Sequence, residues 1–285
     1  MVKIGTLGGL GYLLQLVVAV VYVIPILATA EMGLGAEVGV FIISLVTVIM
    51  LALAWYMLGC RLQDGLMKLY GILSIGWLIL TVATTIGLVV IVETLVGTLG
   101  TPEWSTGTLA LISILFLMPV GVGLLFAVWH KVDSGLMKTI VMGLLGLFVI
   151  SSPLLFVELV GALLLVISFI GLFVITIALE IRNLFAAGSK LEEGCFGFAG
   201  WLKLGVAILS LVGYLLIASI VAIGFTPGTI SQVSGMTETA KWIAIGSMIL
   251  GMMANILAGI AFLKAKIPRG MNLKSVYFLR KATSR

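Results

Sequence analysis

Long runs of apolar residues, separated by short polar segments, recur along the whole chain. Each run is apolar on all sides instead of alternating between apolar and polar residues, so it predicts a helix and not a barrel strand. About 20 helical residues cross a hydrocarbon core of about 30 Å, and most runs reach that length. The pattern predicts an all-α, polytopic transmembrane bundle of about eight spans, at residues 7–28, 38–58, 66–92, 108–129, 136–152, 157–181, 201–225 and 242–263.

Two of these runs leave an alternative open. The fifth run is separated from the sixth only by the Ser-Ser-Pro segment 151–153, so the two runs form either two full spans or one kinked hairpin that does not fully cross; we favour two spans. The first run follows Lys3, as the apolar part of a signal peptide would. It is too long for that role and seven further runs follow, so we interpret it as a transmembrane helix.

The composition indicates that most of the surface faces lipid. Hydrophobic residues make up 62% of the chain, charged residues make up 9%, and the mean hydropathy is +1.33. A soluble domain needs roughly a quarter of its residues charged to cover its surface. We therefore assign residues 1–267 to a transmembrane domain and residues 268–285 to a basic cytoplasmic tail.

Basic residues concentrate on alternate connections between the runs. With a cytoplasmic amino terminus, fifteen of the 16 Lys and Arg residues fall on the cytoplasmic side, and Lys241 is the exception. Lys and Arg are retained on that side during membrane insertion. The distribution predicts a multi-pass protein of the cell membrane with both termini cytoplasmic, and it explains the pI of about 9.3 without nucleic-acid binding.

A short motif between predicted spans occurs twice. The segment "QDGLMK" begins at Gln63 and "DSGLMK" begins at Asp133, and each opens a span that returns from a cytoplasmic loop. A weaker third copy surrounds the loop 182–200, where Lys203 takes the role of the repeated lysine. The chain therefore predicts three pseudo-repeated helical hairpins, around residues 38–92, 108–152 and 157–225.

Gln15 and Asn255 are the deepest polar side chains of the predicted spans. Asn255 belongs to a stripe of small or polar residues that share one face of the last helix, since they recur every four positions: Ser247, Gly251, Asn255 and Gly259. Such a stripe lets another helix approach closely, and amides hydrogen-bond across such contacts. We favour this packing role over contact with a solute, and the packing partner is either a helix of the same chain or a second copy.

Residues that carry catalytic chemistry are scarce. The chain has one histidine, His130, and two cysteines, Cys60 and Cys195, with no CxxC spacing or paired histidines. Metal-ligand and haem sites normally need more such residues at close spacing. A cytoplasmic site built from these three residues is a weaker interpretation than ordinary interfacial packing. We expect no enzyme activity, cofactor or metal.

The carboxyl-terminal segment is strongly basic and contains no acidic residue. Its charges are interleaved with apolar residues around Tyr277. Anionic headgroups attract such segments with about 1 kcal/mol per basic residue near the surface. We therefore predict binding to anionic lipids of the cytoplasmic leaflet, in preference to a protein partner, by Lys264, Lys266, Arg269, Lys274, Arg280, Lys281 and Arg285.

One segment carries a family resemblance. The stretch "FVITIALEIRNLFAAGSKLEEGCFGFAGWLKLGVAILSLVGYLLI", within residues 157–217, places an apolar span, a polar loop and a Gly-rich apolar span in series. In this pattern it resembles archaeal multi-pass membrane proteins of uncharacterised function that are built from repeated helical hairpins. The resemblance implies a similar helical architecture, and it implies no site residues.

Two functional hypotheses follow from these patterns. The first is an integral membrane protein with a structural or complex-forming role, alone as a homo-oligomer or with other membrane proteins, because small-residue stripes are present and reactive groups are scarce. The alternative is a channel or transporter for a small uncharged solute, which the hairpin repeats and the amides of Gln15 and Asn255 would suit.

Overall fold

Every element of the computed structural model is helical within the residues that the structure describes, namely 3–28, 34–99, 115, 117–133, 135–154, 159–223 and 230–267. Eight helices follow one another: α1 (Ile4–Ala28), α2 (Leu34–Arg61), α3 (Gly65–Leu99), α4 (Met118–Lys131), α5 (Leu136–Leu154), α6 (Leu159–Leu191), α7 (Gly194–Ile223) and α8 (Ile230–Lys264). The predicted all-α class is confirmed.

Seven of these helices are long and apolar enough to cross a membrane. The eighth, α4, is described over 14 residues only, and much of the fourth predicted span, 108–129, lies outside the described residues. Helices α5 and α6 each contain an apolar segment long enough to cross on its own, of 19 and 29 residues. The protein is therefore an integral, multi-pass membrane protein.

The helices extend further than the apolar runs. Helix α6 continues to Leu191 and α7 begins at Gly194, so the predicted loop 182–200 is almost entirely helical. Hydropathy underestimates how far the helices extend here, because polar and apolar residues are mixed in this segment. Its apolar members Leu184, Ala187 and Phe196 are fully buried, and their packing stabilises the helical ends.

Helices that are neighbours in sequence pack against each other, and α1 also packs against α8, so the helices close into a ring. Contacts between α3 and α6 bridge the ring. At one end of the bundle Gly5 of α1 lies against Phe262 of α8, which shows that α1 begins where α8 ends. We call this end the turn end, because the α2–α3, α4–α5 and α6–α7 turns lie there as well.

The α2–α3 and α6–α7 turns have the same backbone geometry. Gln63 and Glu192 each adopt a left-handed conformation, with φ of 52° and 54°. In each turn the next residue donates its backbone N–H to a glycine carbonyl five residues earlier, from Asp64 to Gly59 at 2.9 Å and from Glu193 to a glycine at 3.2 Å. This bond and a left-handed residue before it define the Schellman helix terminus.

Aromatic side chains fill the bundle near the turn end. The indole of Trp55 packs edge-on against Phe262 with ring centroids 5.1 Å apart, and it also contacts the rings of Tyr70 and Phe196. Tyr12 stacks on Phe262 at 5.9 Å. These rings come from five helices, so their burial joins α1, α2, α3, α7 and α8 in one core.

The outer faces of the helices expose large apolar side chains, as contact with lipid tails requires. Such side chains are frequent on α6 and α7, and they include Leu163, Val166, Ile170, Ile208, Leu211 and Leu215. Only 6% of the apolar segment of α7 is buried within the chain, compared with 50% of that of α3. Compared with α3, helix α7 therefore leaves a larger face available to lipid or to another protein.

Candidate functional site

The carboxylate of Asp64 joins two hairpins at the turn end. Its Oδ1 accepts the backbone N–H groups of Leu66 and Met67 at 3.0 and 3.2 Å, so Asp64 caps the start of α3. Arg182 Nη1 donates to both carboxylate oxygens at 2.8 Å, and Lys190 Nζ donates to Oδ2 at 2.7 Å. We call Asp64, Arg182 and Lys190 the charged junction.

The charged junction determines the protonation of its carboxylate. Burial by itself raises the pKa of Asp64, because an ionised carboxylate is less stable away from water. Hydrogen bonds from Lys190 and Arg182, the charge of Arg182 and the N–H of Met67 outweigh burial and hold the pKa of Asp64 below its ordinary value. The carboxylate is therefore ionised at neutral pH and pairs with both cations.

The α4–α5 turn is tied to the same end of the bundle. Lys68 Nζ, near the start of α3, lies 3.2 Å from Asp133 Oδ2 in that turn. Lys138 of α5 donates to the carbonyl oxygens of Trp129 and Val132 at 2.8 Å each and thereby caps the end of α4. Polar contacts thus link all three turns.

A further ion pair lies inside the bundle. Lys203 Nζ of α7 is 2.9 Å from Glu180 Oε1 of α6, and the two side chains are only 14% and 18% exposed. Trp55 Nε1 donates to the Tyr12 hydroxyl at 3.1 Å, and the Glu180 carboxylate also interacts with that hydroxyl. We call Glu180, Lys203, Tyr12 and Trp55 the buried polar cluster.

The depth of this cluster differs from the sequence-based expectation. The apolar runs placed Glu180 at a helix end beside Arg182, whereas α6 continues for eleven residues beyond it, about 16 Å of helix. Lys203 likewise lies nine residues inside α7. Both side chains are ionisable groups away from the helix termini, and their mutual pairing offsets part of the cost of burying them.

Gln15 and Asn255 lie inside the bundle on α1 and α8. Asn255 is buried and Gln15 is half-buried, and among the residues that the structure describes, the enclosed amide oxygens Gln15 Oε1 and Asn255 Oδ1 have no hydrogen-bond partner. Other members of the predicted stripe lie at helix contacts within the chain. A Cβ on Gly259 would be 3.3 Å from the carbonyl oxygen of Gly9, and one on Gly251 would be 3.8 Å from a methyl group of α7.

The remaining predicted residues lie near the turn end. Lys264 is exposed at the last position of α8 and Lys266 is exposed just beyond it, while the tail residues from 268 onward lie outside the described residues. His130 and Cys60 are exposed and Cys195 is half-buried. In the part of the chain that the structure describes, these three residues do not form a group able to hold a metal ion.

Two apolar cavities adjoin α3. One of about 20 Å³ lies between α3, α4, α5 and α6, and Trp77 borders it. The other is an open groove between α3 and α4. Trp77 also donates a hydrogen bond of 3.0 Å to Thr176 across the α3–α6 contact. Neither cavity is lined by Gln15 or Asn255.

Comparison of the chain with protein-family models, curated proteins and solved structures gives no match. The resemblance to archaeal hairpin-repeat membrane proteins therefore stays a prediction.

Proposed function

We propose that the protein is a membrane-embedded scaffold, a helical bundle with a structural role that binds other membrane helices. The observation that carries the proposal is Tyr214, which is 64% exposed on α7. It lies nine residues before the end of α7 and eleven residues beyond the buried Lys203. A lipid-facing tyrosine at such depth is unusual, because its hydroxyl group needs a hydrogen-bond partner that lipid tails lack.

The surroundings of Tyr214 support a protein partner. Within the described residues its hydroxyl makes no hydrogen bond, and the neighbouring Leu211 and Leu215 are exposed as well. A partner helix on this face would bury the ring and supply a polar atom for the hydroxyl. The charged groups buried within the described bundle are paired internally, which favours a structural role over ion binding.

In-membrane crosslinking tests this proposal. A photoreactive amino acid replaces Leu211, which is exposed one helical turn before Tyr214, so that Tyr214 itself is kept; a matched control replaces Val46, an exposed residue in the middle of α2. In native membranes we expect a defined protein adduct at position 211 and lipid adducts alone at position 46. Lipid adducts alone at both positions would contradict the scaffold proposal.

We also infer that the turn end and both termini are cytoplasmic. Lys3, Lys264 and Lys266 lie at that end, as do the cations of the charged junction. The positive-inside rule supports this orientation. With it, the exposed Lys264 and Lys266 would continue the basic tail along anionic headgroups of the inner leaflet.

We infer further that the hairpins descend from one duplicated unit. The shared geometry of the α2–α3 and α6–α7 turns supports this, with Gly59, Gln63 and Gly65 equivalent to Gly188, Glu192 and Gly194. In this alignment the third turn is centred on residues 192–193. Lys203 is then not equivalent to Lys68, whereas the sequence motif alone had matched the two lysines.

A channel or transporter for a small uncharged solute is the second candidate. The oxygens of Gln15 and Asn255 favour it, since they are enclosed and unpaired within the described bundle and a passing solute would supply the missing donors. Solute-driven swelling of proteoliposomes tests this candidate. Swelling with the wild type that is lost in a variant without these amides would support it.

A further inference from the structure

We propose that α1, α2 and α8 form a binding site for a small uncharged hydrogen-bond donor at Gln15, Thr47 and Asn255. The inference does not rest on the scaffold role, and it specifies the ligand chemistry that the second candidate function would need.

Helix register places the three residues at one level. A Cβ on Gly11 of α1 would lie 2.8 Å from Leu51 Cδ2 of α2, so these two residues face each other. One helical turn along α1 leads from Gly11 to Gln15, and one turn back along the antiparallel α2 leads from Leu51 to Thr47. Gln15 and Thr47 therefore occupy neighbouring positions across the α1–α2 contact.

The α1–α8 contact brings Asn255 to the same level. A Cβ on Gly259 would lie 3.5 Å from the Cβ of Tyr12 and 3.4 Å from Leu13 Cγ, which sets the register of these antiparallel helices. One turn back along α8 leads from Gly259 to Asn255, and the corresponding step along α1 leads to Gln15. Thr47 and Asn255 are both buried.

The oxygens at this level lack donors in the described part of the chain. There, Gln15 Oε1 and Asn255 Oδ1 are enclosed without a partner, while the Thr47 hydroxyl donates to the Ile43 carbonyl at 2.8 Å and keeps its oxygen as an acceptor. An enclosed acceptor without a donor is unfavourable, because it has lost its hydrogen bond to water and gained none. Two such acceptors on facing helices point to a bound molecule that donates to both.

The charges nearby determine what kind of donor fits. Gln15, Thr47 and Asn255 are uncharged, and the buried polar cluster one turn away already pairs Lys203 with Glu180. A cation would lose most of its hydration shell for three neutral oxygens, and the nearby Glu180 is already paired with Lys203. A neutral molecule with N–H or O–H groups meets no such penalty. This class includes an ordered water and small polyols or amides.

Two substitutions test the site in the purified full-length chain. Asn255→Leu and Gln15→Met keep roughly the side-chain volume and each remove one carboxamide, with its acceptor oxygen and its NH2 group, and Ser219→Ala on the exposed face of α7 is the control. If a donor is bound, each site variant lowers the thermal unfolding midpoint by about 2–4 °C. The midpoint of the double variant falls no further than that of the more affected single variant, because both oxygens share one ligand.

An empty site would not lower the unfolding midpoint of the variants. Removing an unsatisfied buried oxygen relieves its cost, so Asn255→Leu and Gln15→Met would then raise the midpoint or leave it unchanged. That result overturns the proposal. If Asn255→Leu does not fold, Gln15→Met at its half-buried position gives the same test.

A glycerol titration identifies the source of the donor. A saturable rise of the midpoint in the wild type, absent from Gln15→Met, indicates that the site takes a small solute. Equal, non-saturable rises in both proteins, together with the destabilisation of the variant in buffer, indicate that the bound donor is water. Neither result depends on whether the protein binds partner helices.

Discussion

Replacement of Asp64 by asparagine removes the charge of the charged junction while it keeps the shape of the side chain. Asparagine caps a helix about as well as aspartate, so the start of α3 keeps its cap. What is lost is the pairing of one carboxylate with Arg182 and Lys190, at 2.8 and 2.7 Å. The variant therefore isolates the electrostatic link between the α2–α3 turn and α6.

The expected loss of stability depends on how far the three side chains of the charged junction are exposed to solvent. A hydrogen bond to a charged group contributes about 1.5–3 kcal/mol when it is shielded from water. The Asp64 side chain is 4% exposed, but those of Arg182 and Lys190 are 41% and 40% exposed, so solvent reduces each contribution to about 1 kcal/mol. We expect Asp64→Asn to lower the free energy of unfolding by about 2 kcal/mol, or the midpoint by about 4–8 °C.

The assay is thermal unfolding in mild detergent, with Asp133→Asn as the matched control. That change breaks the Lys68–Asp133 pair, whose carboxylate is exposed, and should cost less than about 1 kcal/mol. Because the folded-state pKa of Asp64 is lowered, its contribution is present above the unfolded-state pKa of about 3.9 and disappears as the pH falls through the folded value. Equal midpoints for the two variants at neutral pH would refute this reasoning.

Three further predictions concern the buried pair, the orientation and the tail. Glu180→Gln should destabilise the protein by about 3–5 kcal/mol in unfolding assays, and adding Lys203→Met should restore much of the loss, since the uncompensated buried charge is then removed. A membrane-impermeant thiol reagent should label Cys60 in inverted vesicles only, and labelling in right-side-out vesicles would place the turn end outside. A peptide of residues 268–285 should bind anionic vesicles more tightly than neutral ones in a sedimentation assay, with salt weakening the binding; equal, salt-insensitive binding would limit its charges to a role in insertion.

The sequence was informative wherever a property belongs to a continuous run of residues. Apolar runs predict membrane helices because burial in lipid acts on each segment separately. The end of α6 was placed too early, since residues 182–191 carry polar groups and their helicity depends on the packing of Leu184 and Ala187 against other helices. Hydropathy contains no information on such packing.

The polar contacts between helices were not predictable from the sequence. Asp64 and its partner Arg182 are 118 residues apart, and Trp77 and its partner Thr176 are 99 residues apart. A local signal for Asp64 did exist, since an aspartate directly before Gly65 and an apolar run is a typical helix cap. Its cations could not be identified without the arrangement of the helices.

The depth of Gln15 and Asn255 was apparent from the sequence, whereas their missing partners were not. Amides within spans usually hydrogen-bond a neighbouring helix, which is why packing was the favoured interpretation. In the bundle, close approach of α1 and α8 is provided by glycines such as Gly9 and Gly259, and the described residues offer the amide oxygens no donor. The packing and the unpaired amides are therefore separate features of the same helix contact.

The native mass of the particle extracted from membranes by a mild detergent tests the scaffold role most directly. We expect a particle larger than one 30.1 kDa chain with its detergent. Tyr214→Ala should reduce it to the single chain, because the exposed ring on α7 would be the centre of the partner contact, whereas Val46→Ala on α2 should leave it intact. A single-chain particle for the wild type and both variants would contradict the account.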